Sequence, residues 1–349
     1  MIKILHTADW HLGAPMQGHG EALRQALADV PGKIFDVLRQ EECNLVLIAG
    51  DVFDGAYTPH TYQAVYDILK AMAVPVFITP GNHDFCSPDS PWTKELWPEN
   101  VHIFRSQDVE SVALPELNCR VYGAGFRSMD CPAQLENFAA TCEEKYAIGI
   151  FHGDTTQVNS TYNPITRDQV QNSNLDYLAL GHIHKADQFT AGKTLCGWPG
   201  CPMGRGYDET GEKGVYIVTL DDTASIHFRP LNTPRFYDLQ AQPADLNSVL
   251  PPVANKDYYR VTLIGDCEAP DLEQLQAEFS RCPNLTLRDK TTRPVDIWNN
   301  AGEDTFEGTY FGLLRQAMET AETDAEKEEI QLAAELSRRL MEGQEVVLP

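Results

Sequence analysis

A short apolar run that ends in an aspartate is the feature that most constrains how this chain can fold. Leu45 to Ala49 are five consecutive apolar residues, and Gly50 and Asp51 follow them directly. A run of this length without polar alternation is typical of a strand that is buried on both faces. In open α/β sheets, functional side chains collect beyond the carboxyl ends of the strands. We therefore expect Asp51 to lie at the functional edge of a sheet.

Strand-like and helical patterns alternate through the first 84 residues. Residues 2–7 and 74–79 are strand-like and predict two further strands. Apolar residues at helical spacing predict one helix over 21–42, which Pro31 divides or kinks, and another that begins near Thr58. The pattern is therefore a βαβαβ opening with a polar cluster after each strand.

The middle of the chain contains further strand-like runs with shorter connections between them. A helix is predicted over 132–142. Strands that are first separated by helices and later joined by turns favour two sheets face to face, with helices outside. The runs that predict these strands are residues 101–104, 120–126, 147–151, 177–180, 188–196, 215–220 and 225–231.

A proline-rich stretch after residue 238 separates the predicted sandwich from a smaller C-terminal part. A strand-helix-strand pattern follows it, and the sequence after residue 303 is acidic and helical, with two apolar stripes. The predicted domains are a sandwich domain over residues 1–235, a small capping domain over 236–300 and a helical tail over 301–349.

Composition indicates a globular protein of a reducing compartment. Of the 349 residues, 42% are apolar, and no apolar run is long enough to span a membrane. The nine cysteines are an odd number without a C-x-x-C pair, which favours reduced thiols over disulfides. The chain begins with a strand-like run and not with a signal peptide. These features predict a cytoplasmic protein.

The net charge of −24 limits the partners that the chain can hold. A strongly acidic protein repels a polyanion, so a general nucleic-acid coat is excluded. Any contact with DNA must therefore come through a local basic patch, through bound cations or through a partner protein.

Five clusters of potential metal ligands follow five of the predicted strands. They offer oxygen and imidazole nitrogen but no sulfur, a mixture that favours Mn²⁺, Fe or Zn²⁺ over a thiolate site and disfavours Ca²⁺. Each cluster alone is compatible with an ordinary loop, but five clusters at five strand ends indicate one shared site. The clusters are Asp9-x-His11, Gly50-Asp51-x-x-Asp54, Gly81-Asn82-His83-Asp84, His152-Gly153 and Gly181-His182-x-His184.

The ordered set of these clusters resembles the calcineurin-like metallophosphoesterase superfamily and, within it, the SbcD-type DNA repair nucleases, especially the Bacillus YhaO-like branch. Residues 4–13 and the loop over residues 199–214 are similar to that branch, and the C-terminal part resembles its capping domain and partner-binding segment. The resemblance implies an α/β fold. This fold is a calcineurin-like phosphoesterase sandwich of two facing mixed sheets flanked by helices, with a small α+β capping domain and a helical C-terminal tail.

The resemblance also implies a binuclear site that holds two Mn²⁺ ions, with Fe or Zn as alternatives. His83 would protonate the leaving oxygen, and Asp84 would orient it. The implied ligands are Asp9, His11, Asp51 and His184 for one metal, and Asp51, Asn82, His152 and His182 for the other, so that Asp51 bridges the two.

Two further residues are candidates for contact with substrate. Some nucleases of the wider group carry histidine three residues after the bridging aspartate, where this chain has Asp54. The departure leaves the balance of exonuclease and endonuclease activity open, and Asp54 is equally compatible with a hydrogen bond within its own loop. Arg205 either binds a substrate phosphate through two nitrogens or belongs to a surface loop.

Residue chemistry agrees with this interpretation. Two cations about 3.5–4 Å apart neutralise a phosphodiester, generate hydroxide and clamp the attacking and leaving oxygens. We expect 3′ exonuclease and single-strand endonuclease activity on DNA in double-strand-break processing, beside an SbcC-type ATPase that binds the C-terminal helices. The resemblance further suggests a homodimer. The alternatives are a phosphodiesterase of small or cyclic nucleotides and a non-catalytic scaffold that retains a structural metal site.

Overall fold

The structure is a computed structural model, and it describes residues 1–16, 18, 20–293 and 296–343. The strands are β1 (Ile2–Thr7), β2 (Leu45–Ile48), β3 (Val76–Ile78), β4 (Val101–Ile103), β5 (Glu110–Leu114), β6 (Cys119–Gly123), β7 (Tyr146–His152), β8 (Tyr177–Gly181), β9 (Asp187–Ala191), β10 (Thr194–Trp198), β11 (Gly214–Leu220), β12 (Ala224–Pro230), β13 (Phe236–Ala241), β14 (Tyr258–Leu263) and β15 (Leu285–Asp289). The α-helices are α1 (Glu21–Ala28), α2 (Val30–Glu41), α3 (Pro59–Met72), α4 (Pro91–Lys94), α5 (Arg167–Asn172), α6 (Leu246–Val249), α7 (Leu272–Glu278), α8 (Phe306–Thr320) and α9 (Asp324–Met341).

Two mixed sheets of six strands each form the larger part of the molecule. The first has the order β12-β11-β1-β2-β3-β4, and the second has the order β5-β6-β7-β8-β10-β9. In the first sheet β1 to β4 run parallel, and β11 and β12 add antiparallel pairs on the other side. In the second sheet the four central strands run parallel, and both edge strands are antiparallel. All four residues of β2 are buried, as predicted for a strand that is covered on both faces.

The two sheets pack against each other, because one buried cluster contains side chains from both. A second buried cluster joins the first sheet to α1, α2 and α3 on its other face. The predicted fold class, two facing mixed sheets flanked by helices, is confirmed. Representative members of the core between the sheets are Ile4, Leu47 and Phe77 from the first sheet and Val121, Ile148 and Tyr177 from the second.

The N-terminal helical region is divided as its sequence predicts. α1 ends at Ala28 and α2 begins at Val30, with Pro31 in the first turn of α2, where a missing N–H costs nothing. The predicted start of the next helix is also confirmed. The Thr58 side chain accepts a hydrogen bond from the Thr61 N–H and caps α3.

The helix predicted over residues 132–142 is wrong. The described backbone there has turns and no helix, and Asn137 has a left-handed φ of 58°. Two of its N–H groups bond to distant acceptors, from Gln134 to Asn163 Oδ1 (2.8 Å) and from Ala140 to Ser173 O (2.7 Å). Tertiary hydrogen bonds therefore replace the local ones that an apolar periodicity predicted.

The chain divides into two compact units. Unit 1 comprises residues 1–238 and 254–260 and contains both large sheets, and unit 2 comprises residues 239–253 and 261–349. The predicted domain boundaries at 235 and 300 stay predictions. Within the three predicted domains, residues 17, 19, 294, 295 and 344–349 lie outside the described residues.

In unit 2, α8 and α9 pack together through a buried arginine. The Arg338 guanidinium lies 3.7 Å from the centre of the Phe311 ring and donates to the carbonyl oxygen of Asn299 (2.6 Å). The Tyr310 hydroxyl also lies 2.8 Å from the Ser337 hydroxyl. The Glu307 carboxylate lies 3.5 Å from the same guanidinium, so the buried cation has a counter-charge as well as an aromatic face and a carbonyl acceptor.

Candidate metal centre

The candidate site lies beyond the carboxyl ends of five parallel strands, namely β1, β2, β3, β7 and β8. The turns after β1 and β2 are joined by backbone hydrogen bonds, from Asp9 N to Gly50 O (3.0 Å) and from His11 N to Asp51 O (2.9 Å). Two neighbouring strands therefore deliver their polar side chains to one place.

Four of the predicted ligands have a left-handed backbone. The angle φ is 55° at Asp9, 48° at His11, 52° at Asp51 and 89° at His182. Residues other than glycine rarely adopt positive φ, and such strained positions cluster at functional sites. The turns thus hold these side chains in orientations that a continuing strand would not provide.

Two glycines permit the closest approaches in the site. A Cβ at Gly81 would lie 2.2 Å from Asp51 Oδ1, and a Cβ at Gly181 would lie 1.8 Å from Ala49 O. A side chain at either position would displace the neighbouring turn, so both positions require glycine.

Asp9, His11 and His184 form the first group of potential ligands, with one ligand atom from each within 4.8 Å of the others. Nε2 of His11 lies 3.1 Å from Nε2 of His184, which in turn lies 4.0 Å from Asp9 Oδ1. Asp51 Oδ2 lies 3.7 Å from the same His11 nitrogen. Asp51 therefore borders this group.

Asp51, Asn82, His152 and His182 form the second group. Nε2 of His152 lies 3.4 Å from Asp51 Oδ2 and 2.9 Å from Asn82 Oδ1. Nδ1 of His182 lies 3.1 Å from the same amide oxygen. Because Asp51 Oδ2 faces a histidine of each group, Asp51 lies between the two groups. The structure thus brings all seven predicted ligands together, and their ligation of metal stays a prediction.

Hydrogen bonds on the outer ring nitrogens determine which nitrogen faces the centre. Nδ1 of His152 donates to a backbone carbonyl (2.9 Å), Nδ1 of His184 donates to Glu209 (2.6 Å) and Nδ1 of His11 donates to Asp54 (3.1 Å). In the neutral form that binds a cation, each ring would then present an unprotonated Nε2 to the centre. Burial opposes the charge of His152, but the Asp51 carboxylate raises the pKa of this ring to about 9, so a cation would displace its second proton. The lone pairs of His11 and His184 face each other, and a cation between them removes the repulsion. The donor set therefore fits bound metal.

Burial and charge keep two of these groups in the forms that bind metal. Burial opposes ionisation of Asp51, but His152 and His11 hold the pKa of this carboxyl below its usual range. Burial, and next the charge of His152, lowers the pKa of His182 to about 4. A carboxylate and a neutral imidazole are the protonation states that metal ions require.

His83 lies at the rim of the cluster, with 44% of its side chain exposed. Its Nδ1 lies 2.9 Å from Asp54 Oδ1, and its ring centre lies 4.6 Å from that of His11. The hydrogen bond to Asp54 raises the pKa of His83. An accessible imidazole with a raised pKa beside a metal centre is suited to donate a proton to a substrate.

The prediction that Asp84 orients His83 is wrong. Asp84 is buried, its Oδ2 accepts the backbone N–H groups of residues 52–53 (2.8 and 3.2 Å), and its Oδ1 accepts that of Gly81 (2.8 Å). Burial, and next the charge of the nearby Asp51, raises the pKa of Asp84. Asp84 therefore fixes the turns after β2 and β3 to each other, and Asp54 orients His83.

Glu209 is a residue of the site that the sequence analysis did not identify. Besides the bond from His184, it accepts bonds from the Arg205 backbone N–H (2.8 Å) and guanidinium (2.8 Å). Glu209 lies in the loop over 199–214, whose similarity to the SbcD-type nucleases was the one feature of the sequence that could have pointed to it. The Arg205 guanidinium also lies 3.9 Å from Asp54 Oδ1, so it faces the site. Its contact with a substrate phosphate stays a prediction.

Comparison with protein families identifies the larger domain. Residues 2–186, more than half of the chain, match the model of the calcineurin-like phosphoesterases. The chain belongs to this family. Membership confirms the predicted superfamily and places the chain among metal-dependent phosphoesterases, which are hydrolases with a dinuclear metal site.

Relatives of this calcineurin-like phosphoesterase include two proteins of Bacillus subtilis. The uncharacterized metallophosphoesterase YhaO of Bacillus subtilis is 31% identical over 234 residues, which cover 62% of this chain and 57% of that protein. The SbcD subunit of the nuclease SbcCD of Bacillus subtilis is 25% identical over 264 residues, which cover 62% of this chain and 66% of that protein. The chain thus spans less than two thirds of the length of either relative.

A solved structure is also similar to the chain. A dimetal phosphatase from Danio rerio is 13% identical with a TM-score of 0.46, and the match covers 66% of this chain and 96% of that chain.

In the part of the chain that the structure describes, no helix has both the length and the apolar character needed to cross a membrane.

Proposed function

We propose that this chain is a two-metal phosphodiesterase that acts on DNA, with 3′ exonuclease and single-strand endonuclease activity in double-strand-break processing. The observation that carries the proposal is His83, which Asp54 anchors at the accessible rim of the ligand cluster. A sugar alkoxide is a poor leaving group, so its departure needs an acid at this place. A site that only stored metal would not need one.

Seven side chains would hold two cations, proposed as Mn²⁺, with Asp51 shared. When bound, such a pair neutralises the phosphodiester, supplies hydroxide and clamps the attacking and leaving oxygens. Asn82 is uncharged, so its cation would keep more positive charge than a further carboxylate would leave. The seven are Asp9, His11, Asp51, Asn82, His152, His182 and His184.

His83 would carry the proton that the leaving group needs. With Nδ1–H donated to Asp54 (2.9 Å), the second proton of the imidazolium lies on Nε2. This proton would pass to the leaving sugar oxygen as the bond from phosphorus to oxygen breaks. Asp54 stabilises the imidazolium before transfer, and Arg205 would bind a non-bridging phosphate oxygen.

Two observations support DNA as the substrate and an ATPase as the partner. The chain is similar to the SbcD subunit of the nuclease SbcCD from both Bacillus subtilis and Staphylococcus saprophyticus. The helices α8 and α9 expose large apolar side chains, among them Phe306, Leu313 and Leu340. Such side chains suit docking on partner helices, here those of an SbcC-type ATPase. This partner would supply the positive charge that a chain of −24 lacks.

The test compares two phosphodiesters in Mn²⁺. Purified protein is incubated with single-stranded circular DNA and with bis-p-nitrophenyl phosphate, a small ester with a good leaving group. The proposal expects cleavage of both. Cleavage of the small ester alone, also in the presence of an SbcC-type ATPase, would remove the nuclease assignment.

Replacement of His83 by glutamine tests the general acid. We expect His83→Gln to lower the rate of DNA cleavage by about 10²-fold or more, because general acids typically contribute this much. Mn²⁺ stoichiometry, measured by isothermal titration calorimetry, should stay unchanged. His60→Gln, at an exposed histidine of α3, is the matched control. An unchanged rate of DNA cleavage in His83→Gln would contradict the role of His83. A wild type that binds Mn²⁺ but cleaves neither phosphodiester would favour the scaffold alternative.

A phosphodiesterase of small or cyclic nucleotides is the second candidate, and the net charge of −24 favours it. A small nucleotide carries one or a few charges, so an acidic surface repels it less than it repels a polymer. The same pair of assays separates the candidates, with a cyclic nucleotide as a third substrate.

A further inference from the structure

A cavity beside His83 supports an inference that rests on the proposed phosphodiesterase function. It has a volume of about 390 Å³ and lies between the loop over 55–57 and the segment over 83–91. Small-molecule sites have volumes of roughly 300–1,000 Å³. His83 forms part of its wall, whereas none of the seven predicted ligands, all of which the structure describes, lines it. The cavity is therefore beside the metal centre and distinct from it.

We propose that this cavity binds the base of the leaving nucleoside. Because His83 protonates the leaving oxygen, the nucleoside attached to that oxygen lies on the His83 side of the phosphate. His83 itself lines the cavity, together with Asp84, Phe85 and further residues up to Pro91, so the cavity lies on the same side. A base that enters it keeps the leaving oxygen within reach of the imidazole.

The walls of the cavity suit a flat, uncharged ring. Tyr57, Phe85 and Pro91 contribute ring surfaces, and Gly55 and Ala56 occupy little space between them. Aromatic surfaces bind nucleobases by stacking, which is largely independent of base identity. A cavity of this kind would bind any of the four bases, as a nuclease without sequence specificity requires.

Tyr57 is held in place before any ligand binds. Its hydroxyl donates to Glu95 Oε1 (2.7 Å), and its ring centre lies 5.8 Å from that of Phe53. The ring is therefore a preorganised stacking surface, so binding a base costs little side-chain entropy.

The wall of the cavity is poorly suited to a second phosphate. No lysine or arginine of the described chain lines it, and Asp89, which does, forms an ion pair with Lys94 (2.5 Å). His83 is the one basic side chain among the described lining residues, and the proposal assigns its proton to the leaving oxygen. A neutral base needs no cation, so the cavity would take one base while the rest of the leaving strand passes outside it.

The test uses single-stranded thymidine hexamers in which one base is removed, either from the leaving nucleoside of a scissile bond or from the nucleoside on its other side. Mass spectrometry of the products shows which fragment keeps the phosphate and so which nucleoside leaves. We expect removal of the leaving base to lower the cleavage rate of that bond about tenfold, within the range of base–aromatic stacking. Removal of the other base should have a smaller effect.

Filling the cavity gives the matching protein variant. Ala56→Trp places an indole in the cavity, so the ratio of the rates with and without the leaving base should fall from about ten to about one. Ala71→Trp, at an exposed alanine of α3 outside the cavity, should keep the wild-type ratio. Mn²⁺ stoichiometry of both variants confirms that the centre is intact.

The outcomes separate this inference from the function on which it rests. A wild-type ratio of one, or an unchanged ratio in Ala56→Trp, would overturn the base-binding cavity while the nuclease function stands. If the wild type cleaves bis-p-nitrophenyl phosphate but no hexamer and no circular DNA, the proposed function fails, and the cavity proposal fails with it.

Discussion

At the scale of single residues, Asp54 connects the metal centre to the proposed general acid. One oxygen, Oδ1, lies 3.1 Å from His11 Nδ1 and 2.9 Å from His83 Nδ1. Hydrogen bonds from the same two histidines hold the pKa of Asp54 below its usual range. A single carboxylate therefore orients a predicted ligand and raises the pKa of His83 at the same time.

Asp54→Asn should impair natural substrates more than activated ones. The asparagine removes the charge that raises the pKa of His83, so His83 loses its proton at lower pH. We expect the rate of DNA cleavage to fall by about 10²-fold and its alkaline decline to begin at lower pH, whereas bis-p-nitrophenyl phosphate should be affected less. Steady-state kinetics across pH measure both effects, with Asp67→Asn on the exposed face of α3 as the control. Equal losses on both substrates would show that Asp54 acts through His11 and the metal.

His6 is a buried histidine outside the metal site. It is fully buried between the sheets, with Nδ1 2.7 Å from the Tyr177 hydroxyl, and burial lowers its pKa to about 3. The folded chain therefore keeps His6 neutral below pH 6.5, where the unfolded chain protonates it. The stability that this difference represents is complete above the unfolded pKa and is lost as the pH falls towards about 3.

His6→Gln should therefore flatten the pH dependence of stability. The wild type should lose about 1.4 kcal/mol per pH unit below pH 6.5 through this residue, and the variant should not. Urea denaturation at about pH 7 and about pH 5.5 in metal-free buffer measures the difference. His60→Gln at an exposed histidine should retain the wild-type slope. Identical slopes in all three proteins would contradict a neutral His6.

At the scale of elements, the turns after the strands are as specific as the ligands that they carry. The turn after β3 passes so close to the turn after β2 that Gly81 has no space for a Cβ beside Asp51. The same turn places the His83 backbone N–H 2.9 Å from Asp51 Oδ1. The position of the Asp51 carboxylate thus depends on the backbone of the turn after β3.

Gly81→Ala should weaken metal binding without altering the ligand set. Its Cβ would lie 2.2 Å from Asp51 Oδ1, so the carboxylate or the turn must move. We expect Mn²⁺ affinity to fall at least about tenfold, since a displaced shared ligand affects both cations. Calorimetric titration with Mn²⁺ checks this. Gly32→Ala in α2, where the added Cβ meets nothing within 4 Å, should bind Mn²⁺ normally and gain up to about 1 kcal/mol of stability. Normal affinity in Gly81→Ala would refute the crowding.

At the scale of the whole molecule, the net charge of −24 opposes the proposed substrate. The cations of the site offset only a few of these charges, so the approach of DNA is repulsive beyond the immediate site. A partner with a basic surface, or screening by salt, reduces this barrier.

Salt should therefore accelerate DNA cleavage by the protein alone. Raising the ionic strength from about 0.01 to about 0.1 M shortens the Debye length from about 30 to about 10 Å, which weakens long-range repulsion. We expect kcat/KM for single-stranded DNA to rise over this range, and that for bis-p-nitrophenyl phosphate to change little. A steep fall with salt would instead indicate that a local cationic surface dominates DNA binding.

Much of the fold and most of the candidate site could be predicted from the sequence. Strand-like runs predicted β1, β2 and β3, and Pro31 predicted the break between α1 and α2, because strand patterns and proline chemistry are local signals. The five polar clusters contain all seven predicted ligands, which the family resemblance singled out and which the structure brings together. The helix expected over 132–142 failed because its backbone bonds to Asn163 and Ser173, which no local pattern reveals.

The sequence by itself indicated which residues gather at the metal centre, since polar side chains that follow parallel strands collect at the carboxyl ends of those strands. The tertiary structure brings the ends of β1, β2 and β3 in one sheet together with those of β7 and β8 in the other. Only the tertiary structure decided how they are oriented. In the structure His83 contacts Asp54, whereas Asp84 accepts backbone N–H groups, and Glu209 accepts a hydrogen bond from His184. Adjacent aspartates in a turn look alike in sequence, and the direction of each side chain depends on left-handed backbone angles and on contacts between loops that lie far apart in the chain.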